Sequence, residues 1–202
     1  MKHAAKPRGL SAPDPEAAGS GMVSTTRTTM AFATYRKAHQ PDRPMNPEAR
    51  RYDGDADPMA AEEGLRIWVD GPAESAGAEP AEKPDLAPKP DGQRLWAVTR
   101  EHVLHAPEIC EFGAQREAGA AKHSNLTGGG SAFAGGELIF LTEATIAITG
   151  SSGRYRLRSC EEMAAIERAF AASGYNVWSM GFNQDVNRPN LFGLSDPEWV
   201  SP

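Results

Sequence analysis

Alternating and helical spacings of apolar residues follow one another in the second half of the chain. Residues 137–141 and 144–149 are two apolar runs that contain β-branched or aromatic side chains, and only Thr142 and Glu143 separate them. So short a connection is typical of antiparallel strands. Residues 94–99 and 175–180 have the character of two further strands. The pattern therefore predicts a β-hairpin with one strand before it and one after it in the sequence.

One helix is marked at both ends. Ser159 stands where an N-cap is expected, and Glu162 completes a capping box. Gly174 is the type of residue that ends helices in a left-handed conformation. The apolar positions at helical spacing are Met163, Ile166, Ala169 and Phe170. We also predict a short helix after the first strand, ending before Pro107.

These elements predict an α+β domain over residues 94–184. Its small antiparallel sheet would consist of the hairpin and the flanking strands, and one main helix would pack against it. Residues 119–136 would form a glycine-rich loop in front of the hairpin. The prolines at 189, 197 and 202 predict an irregular tail over residues 185–202.

The first half of the chain differs in composition. Twelve of the 16 prolines precede residue 94, so we expect residues 1–93 to be largely disordered. Two apolar islands interrupt this region: residues 28–38 have the spacing of a short helix or docking segment, and residues 65–69 that of an edge strand for the same sheet. Residues 71–92 are typical of an extended, proline-rich linker.

Charge is unevenly distributed along the chain. Residues 1–52 hold nine Lys and Arg against four Asp and Glu, and residues 53–93 hold three against eleven. A basic arm can bind nucleic acid or an anionic membrane, but the acidic stretch beside it can satisfy the same charges within the chain. We therefore expect a protein partner for residues 1–70, and neither nucleic acid nor a membrane.

Export and membrane signals are not evident in the sequence. No apolar stretch approaches the roughly 18 residues of a membrane span, and no apolar region follows the charged start, as it would in a secretory signal. Cys110 and Cys160 are too few for the disulfide framework of a small secreted domain, although one bridge is open to them. We expect a cytoplasmic protein, or one exported by a specialised secretion system.

Motifs for cofactors are incomplete. Residues 128–136 lack the Gly-Lys-Ser/Thr ending of a P-loop, and no Gly-x-Gly-x-x-Gly leads from a strand into a helix, so we expect no cofactor. Asp53, Asp55 and Asp57 are similar to the beginning of a calcium loop, but Pro58 takes the place of the required glycine.

Metal ligation has only weak candidates. His102, His105 and Cys110 are residue types that bind zinc, and the two histidines lie three positions apart. However, Pro107 disrupts a helix there, and no second pair of Cys or His follows downstream. Surface histidines are the alternative interpretation, and we predict no metal site.

Two polar clusters flank the predicted hairpin. Residues 122–125 are Lys-His-Ser-Asn and precede three consecutive glycines, while residues 151–155 are Ser-Ser-Gly-Arg-Tyr. Glycine lets backbone N–H groups approach a ligand, and Lys, Arg and Ser supply the donors that a phosphate or carboxylate needs. The predicted site residues are His123 and Glu137 for catalysis, and Lys122, Ser124, Asn125, Ser152, Arg154 and Tyr155 for ligand binding.

Within this site, His123 is the natural acid or base because its ordinary pKa lies near neutrality. Glu137 would support it, and Lys122 and Arg154 would stabilise negative charge on the ligand. A purely structural alternative stays open: the glycines serve turns, Arg154 pairs with a carboxylate, Tyr155 belongs to the core and His123 bonds a backbone carbonyl. A second hypothesis is a non-catalytic accessory protein that docks on a larger assembly through its N-terminal arm.

The motifs Lys-His-Ser-Asn-Leu at 122–126, Gly-Gly-Glu-Leu at 135–138 and Ser-Gly-Arg-Tyr at 152–155 resemble a recurring bacterial domain of poorly defined activity. That domain occurs as small stand-alone proteins and near the C-termini of secreted effectors or polymorphic toxins. Arg154 stands where a histidine is frequent in the family, and the proline expected soon after Tyr155 is missing. The resemblance implies a small sheet-based domain with an effector-like, toxin-like or accessory role.

Overall fold

A computed structural model describes residues 26–73, 79–80 and 82–200 and has the predicted α+β class. The helices are α1 (Arg27–Ala38), α2 (Glu111–Ala114), α3 (His123–Thr127) and α4 (Cys160–Ala172). The strands are β1 (Arg66–Ile67), β2 (Arg94–Val98), β3 (Val103–Pro107), β4 (Ala134–Phe140), β5 (Thr145–Thr149), β6 (Asn176–Ser179), β7 (Phe182–Asn183), β8 (Arg188–Pro189) and β9 (Glu198–Trp199). Seven strands form one sheet in the order β1-β3-β2-β4-β5-β6-β9, and β7 pairs with β8 apart from it.

The hairpin and the main helix are confirmed. β4 and β5 are antiparallel, with Phe140 opposite Ile146. The Ser159 hydroxyl accepts the Glu162 N–H at 3.2 Å at the beginning of α4, and Gly174 follows its end with a φ of 95°. β6 then runs parallel to β5, because a helix that crosses a sheet returns the chain in the direction it left. The sheet is therefore larger than predicted and mixed rather than wholly antiparallel.

The short helix predicted before Pro107 is wrong. Val103–Pro107 is strand β3, antiparallel to β2. The Thr99 N–H donates to the His102 carbonyl at 2.8 Å and closes the turn between them. Two apolar residues in succession, Val103 and Leu104, fit either state locally; pairing with the adjacent β2 decides for the strand.

The predicted disorder does not extend over residues 26–73. Phe32 of α1 is fully buried, and its ring lies 5.1 Å from that of Phe170 in α4. Trp68 follows β1 and is also buried against Phe170, with ring centroids 5.0 Å apart. β1 extends the sheet beside β3, as residues 65–69 predict. Residues 26–70, the larger part of the proposed docking arm, thus contact the rest of the fold, whereas residues 1–25 lie outside the described residues.

The predicted linker and tail also pack on the sheet. Leu86, within the linker, is 8% exposed and lies in one apolar cluster with Trp178 and Phe192. In the tail, β9 pairs with β6 at the edge of the sheet. Apolar contacts therefore hold the described parts of both segments in place, although most of their backbone lies outside helices and strands; residues 74–78, 81 and 201–202 lie outside the described residues.

The two faces of the sheet are covered differently. α1 and α4 cover one face, where Trp96, Leu138 and Ile148 lie in the main apolar cluster. On the opposite face, one cluster forms around Leu95 and Phe112, and a second forms around Trp178. Within the described residues no helix combines the length and the apolar character needed to cross a bilayer.

Candidate functional site

The two polar clusters lie together on the face of the sheet opposite α4. A pocket of about 150 Å³ opens there, and its polar lining includes Glu108, Lys122, His123, Glu137, Ser152 and Arg154. α3 brings Lys122 and His123 to the pocket, and the turn after β5 brings Ser152 and Arg154. Side chains far apart in the sequence therefore surround one small volume.

The His123 imidazole forms a hydrogen bond with the backbone of β4. Its Nε2 lies 2.8 Å from the carbonyl oxygen of Gly136. A carbonyl only accepts, so Nε2 carries the hydrogen and the lone pair is on Nδ1. The pKa of His123 is lowered to about 4, chiefly by burial; the bond to Gly136 opposes this shift, and the charges of Arg154 and Lys122 contribute to it. The imidazole is accordingly neutral at neutral pH.

Glu137 has the electrostatics of a proton-exchanging group. It lies opposite Leu95 of β2 on the pocket face. Burial raises its pKa to about 7, and the negative charge of Glu108 contributes in the same direction, while Lys89 opposes it. The sequence predicted that Glu137 supports His123, but the Gly136 carbonyl has that role. Glu137 itself lines the pocket with a carboxyl that titrates near neutrality.

Arg154 is fixed by a buried ion pair. Its Nη2 contacts the carboxylate of Asp55, and the two side chains are 9% and 7% exposed. Its Nε donates to the Ser124 hydroxyl at a longer distance of 3.4 Å. One of the two cations that we predicted for ligand binding is thus neutralised within the fold, and within the described residues Nη1 is the one nitrogen of this guanidinium that forms no hydrogen bond.

Three further predicted residues hold the walls of the pocket. The Asn125 amide donates to the carbonyl oxygens of Gly54 and Asp57 at 2.8 and 3.0 Å. The Tyr155 hydroxyl, whose ring is buried, donates to the Gly130 carbonyl at 2.6 Å. Ser124 is fully buried. These contacts, with the Asp55 pair and the Gly136 bond, match the structural alternative drawn from the sequence.

Ser152 is both a structural and a pocket residue. Its hydroxyl oxygen accepts the backbone N–H groups of Arg154 and Tyr155 at 3.3 and 3.1 Å. A hydroxyl that accepts two bonds still has its own hydrogen to donate. Ser152 therefore shapes the turn and also offers a donor to the pocket.

The candidate metal ligands have separate surroundings. His102 is exposed in the turn before β3, and Cys110 is a free thiol at the beginning of α2. His105 accepts from Arg94 Nε at 2.8 Å, and burial lowers its pKa to about 3. In the part of the chain that the structure describes, no three His, Cys, Asp or Glu side chains are arranged to hold a metal ion.

Sequence reasoning assigned no site role to two of the carboxylates that matter here. Asp55 pairs with Arg154, and Glu108 lines the pocket while accepting from Gln93 Nε2 at 2.7 Å. In the sequence, Asp55 belongs to the incomplete calcium loop, and Glu108 lies between the weak zinc candidates His105 and Cys110. Their actual roles depend on contacts across strands and loops that no local pattern reveals.

Fold and site together define an α+β protein with a small polar pocket on the face of its sheet opposite α4. Comparison of the chain with protein-family models, with curated proteins and with solved structures gives no match in any of the three.

Proposed function

We propose that the pocket binds a small ligand through a phosphate or carboxylate group, and that the protein acts on this ligand as an effector- or toxin-like enzyme. The observation that carries the proposal is that Lys122, His123 and Arg154 line one pocket although α3 and the turn after β5 are separate in sequence. The effector- or toxin-like role rests on the family resemblance.

Lys122 is the principal cation for the ligand. Among the described residues it forms no salt bridge, and its ammonium lies 5.7 Å from the centre of the Tyr52 ring. The Ser152 hydroxyl and the Arg154 side chain, which also line the pocket, add hydrogen-bond donors. A cation with two further donors is a suitable environment for an oxyanion.

Glu137 and His123 have separate roles in the proposed chemistry. A carboxyl with a pKa near 7 gives and takes a proton at neutral pH with little driving force in either direction. His123 contributes the Nδ1 lone pair, a fixed hydrogen-bond acceptor that stays unprotonated. In this arrangement Glu137 is the acid or base, and His123 orients the ligand.

Binding tests the anion site directly. Isothermal titration with inorganic phosphate and with succinate should show saturable binding to the full chain, weakened about tenfold or more in Lys122→Gln because one charge-assisted contact is lost. Lys37→Gln, at an exposed position in the last turn of α1, is the control. Equal affinities of the two variants, or no binding of either anion, would contradict the proposal.

The enzymatic part is tested in a host cell. Production of the chain in a bacterium should arrest growth, and Glu137→Gln should relieve the arrest at equal protein level. His123→Gln keeps a donor for the Gly136 carbonyl but lacks Nδ1, so it should weaken the effect without loss of folding. No growth arrest, or arrest that Glu137→Gln leaves intact, would rule out a toxin-like activity of this pocket.

A further inference from the structure

Next to the pocket, the chain from 151 to 158 is bordered by two larger hollows. One, of about 450 Å³, lies between this segment and residues 43–48 and reaches Asn187. The other, of about 340 Å³, lies toward β8 and shares Arg156 and Asn187 with the first. This second hollow also shares Ser151, Ser152 and Gly153 with the polar pocket. We call the two larger hollows together the arginine groove.

The arginine groove carries positive charge that the fold does not neutralise. Arg156, Arg158 and Arg188 line it, all three are exposed, and none forms a salt bridge within the described residues. Among the described residues, Glu48 is the one carboxylate in its lining. The whole chain has a net charge of −6, so a local surplus of cations is not a consequence of overall composition.

Two other arginines that line the larger hollow are neutralised by carboxylates. Arg43 is paired with Glu162, and Arg154 is paired with Asp55. Carboxylates therefore neutralise the two less exposed arginines of this region, and Arg156 has none. Exposed cations close together repel one another, and an anion that binds between them removes this repulsion.

The backbone that presents these arginines is held on both sides. The Arg43 Nη1 group donates to the Arg156 carbonyl at 3.1 Å, and the Arg158 N–H donates to Glu162 Oε2 at 2.8 Å. The Asn46 N–H, from the same segment as Arg43, donates to the Arg154 carbonyl at 2.8 Å. A fixed backbone lowers the entropy lost when a ligand orders the side chains.

We propose that the arginine groove is a phosphate subsite, where Arg156, Arg158 and Arg188 hold the diphosphate of a small ligand whose other end reaches the polar pocket. Guanidinium groups match phosphate oxygens in pairs of parallel hydrogen bonds. Volumes of 450 and 340 Å³ are those of small-molecule sites. Val186, Pro189 and Leu191 form an apolar rim for the rest of the ligand.

A single-stranded nucleic acid fits the groove less well. Such ligands are bound by aromatic side chains on which successive bases stack. Tyr155 is the one aromatic residue that the described part of the chain contributes to the lining, and it is 2% exposed. A diphosphate ester can come from a nucleotide or from a non-nucleotide metabolite, and the shared chemistry is the diphosphate.

The subsite rests on the proposed function and adds a class of ligand to it. The test therefore distinguishes failure of the subsite from failure of the proposed function. Titration of the full chain with inorganic pyrophosphate at low salt should show binding that Arg156→Ala and Arg188→Ala each weaken about tenfold. Arg168→Ala, an exposed arginine of α4 that lines neither hollow, should bind as the wild type does. Parallel titrations with a nucleoside diphosphate and a sugar diphosphate identify the source.

The outcomes are distinct. Loss of pyrophosphate binding in Arg156→Ala but not in Lys122→Gln supports the subsite even if the pocket fails its own test. Loss in Lys122→Gln alone overturns the subsite and leaves the pocket. If Arg168→Ala weakens pyrophosphate binding equally, the binding is general charge attraction, and this result overturns the subsite. Tighter binding of an acidic peptide than of pyrophosphate also overturns it, in favour of a protein-docking surface.

Discussion

Asp55 and Arg154 form a buried ion pair that ties the first half of the chain to the turn after the hairpin. Asp55 also accepts the Tyr52 N–H at 2.9 Å, which fixes the carboxylate in its own turn. One contact thus unites a segment that composition marks as disordered with the wall of the candidate site. The stability of the pocket and the order of the upstream segment are therefore expected to be coupled.

Asp55→Ala tests this coupling. Removal of one partner leaves a buried, uncompensated guanidinium, and the expected loss in the free energy of unfolding is about 3 kcal/mol. Urea unfolding measures it. The control is Asp196→Ala, at the exposed pair with Lys83, where the carboxylate is 91% exposed and little change is expected. Similar losses in both variants would mean that the buried pair has no special role.

Phe32→Ala tests whether α1 belongs to the fold. The ring is fully buried against Phe170, so its removal is expected to cost about 3 to 5 kcal/mol in unfolding free energy. Met30→Ala, on the same helix but 61% exposed, should change stability little. Calorimetry measures the melting temperatures of the two variants. Equal melting temperatures would show that α1 does not contribute to the core.

Glu137→Gln tests the raised pKa. Between pH 4.5 and 7 the folded protein holds a proton on Glu137 that the unfolded chain has released. The stability due to this group therefore falls as pH rises through that window, and it is constant above it. His123 has the opposite sign between pH 4 and 6.5, so the informative quantity is the difference in unfolding free energy between wild type and Glu137→Gln.

That difference should decrease steadily from pH 4.5 to pH 7. Carbon-13 NMR of the carboxyl group gives the same pKa independently, with an expected midpoint of about 7. A flat difference across the window, or a midpoint near the ordinary value for glutamate, would refute the assignment of Glu137 as the proton-exchanging group.

Gly136→Ala tests the close packing under the pocket. A Cβ at this position would lie 2.1 Å from the Thr149 carbonyl oxygen and 2.4 Å from the Trp96 ring. Because the obstacle is backbone within the sheet, we expect a loss of about 3 kcal/mol or failure to fold. Gly153→Ala has no atom within 4 Å of its Cβ and serves as the control. Unfolding by urea, followed by circular dichroism, compares them; a fully stable Gly136→Ala would contradict this packing.

Convergence of the two polar clusters was predictable from the sequence only as a consequence of the hairpin. Because β4 and β5 are adjacent and antiparallel, the chain before β4 and the chain after β5 lie at the same end of the ribbon. The sequence contains no information of comparable strength about which charges meet there. For this reason the observed contacts of two residues differ from the expected ones. His123 bonds the Gly136 carbonyl in place of Glu137, and Arg154 pairs with Asp55.

Local patterns alone determined the hairpin, α4 with its caps, and the strand that follows it, because spacing, capping and turn chemistry act between neighbouring residues. Tertiary structure alone decided that β3 is a strand, that α1 and Trp68 are buried, and that the Glu137 carboxyl titrates near neutrality. Each of these depends on surface covered by residues distant in the chain. Burial and ion pairing are properties of the assembled fold, and the spacing of residues does not encode them.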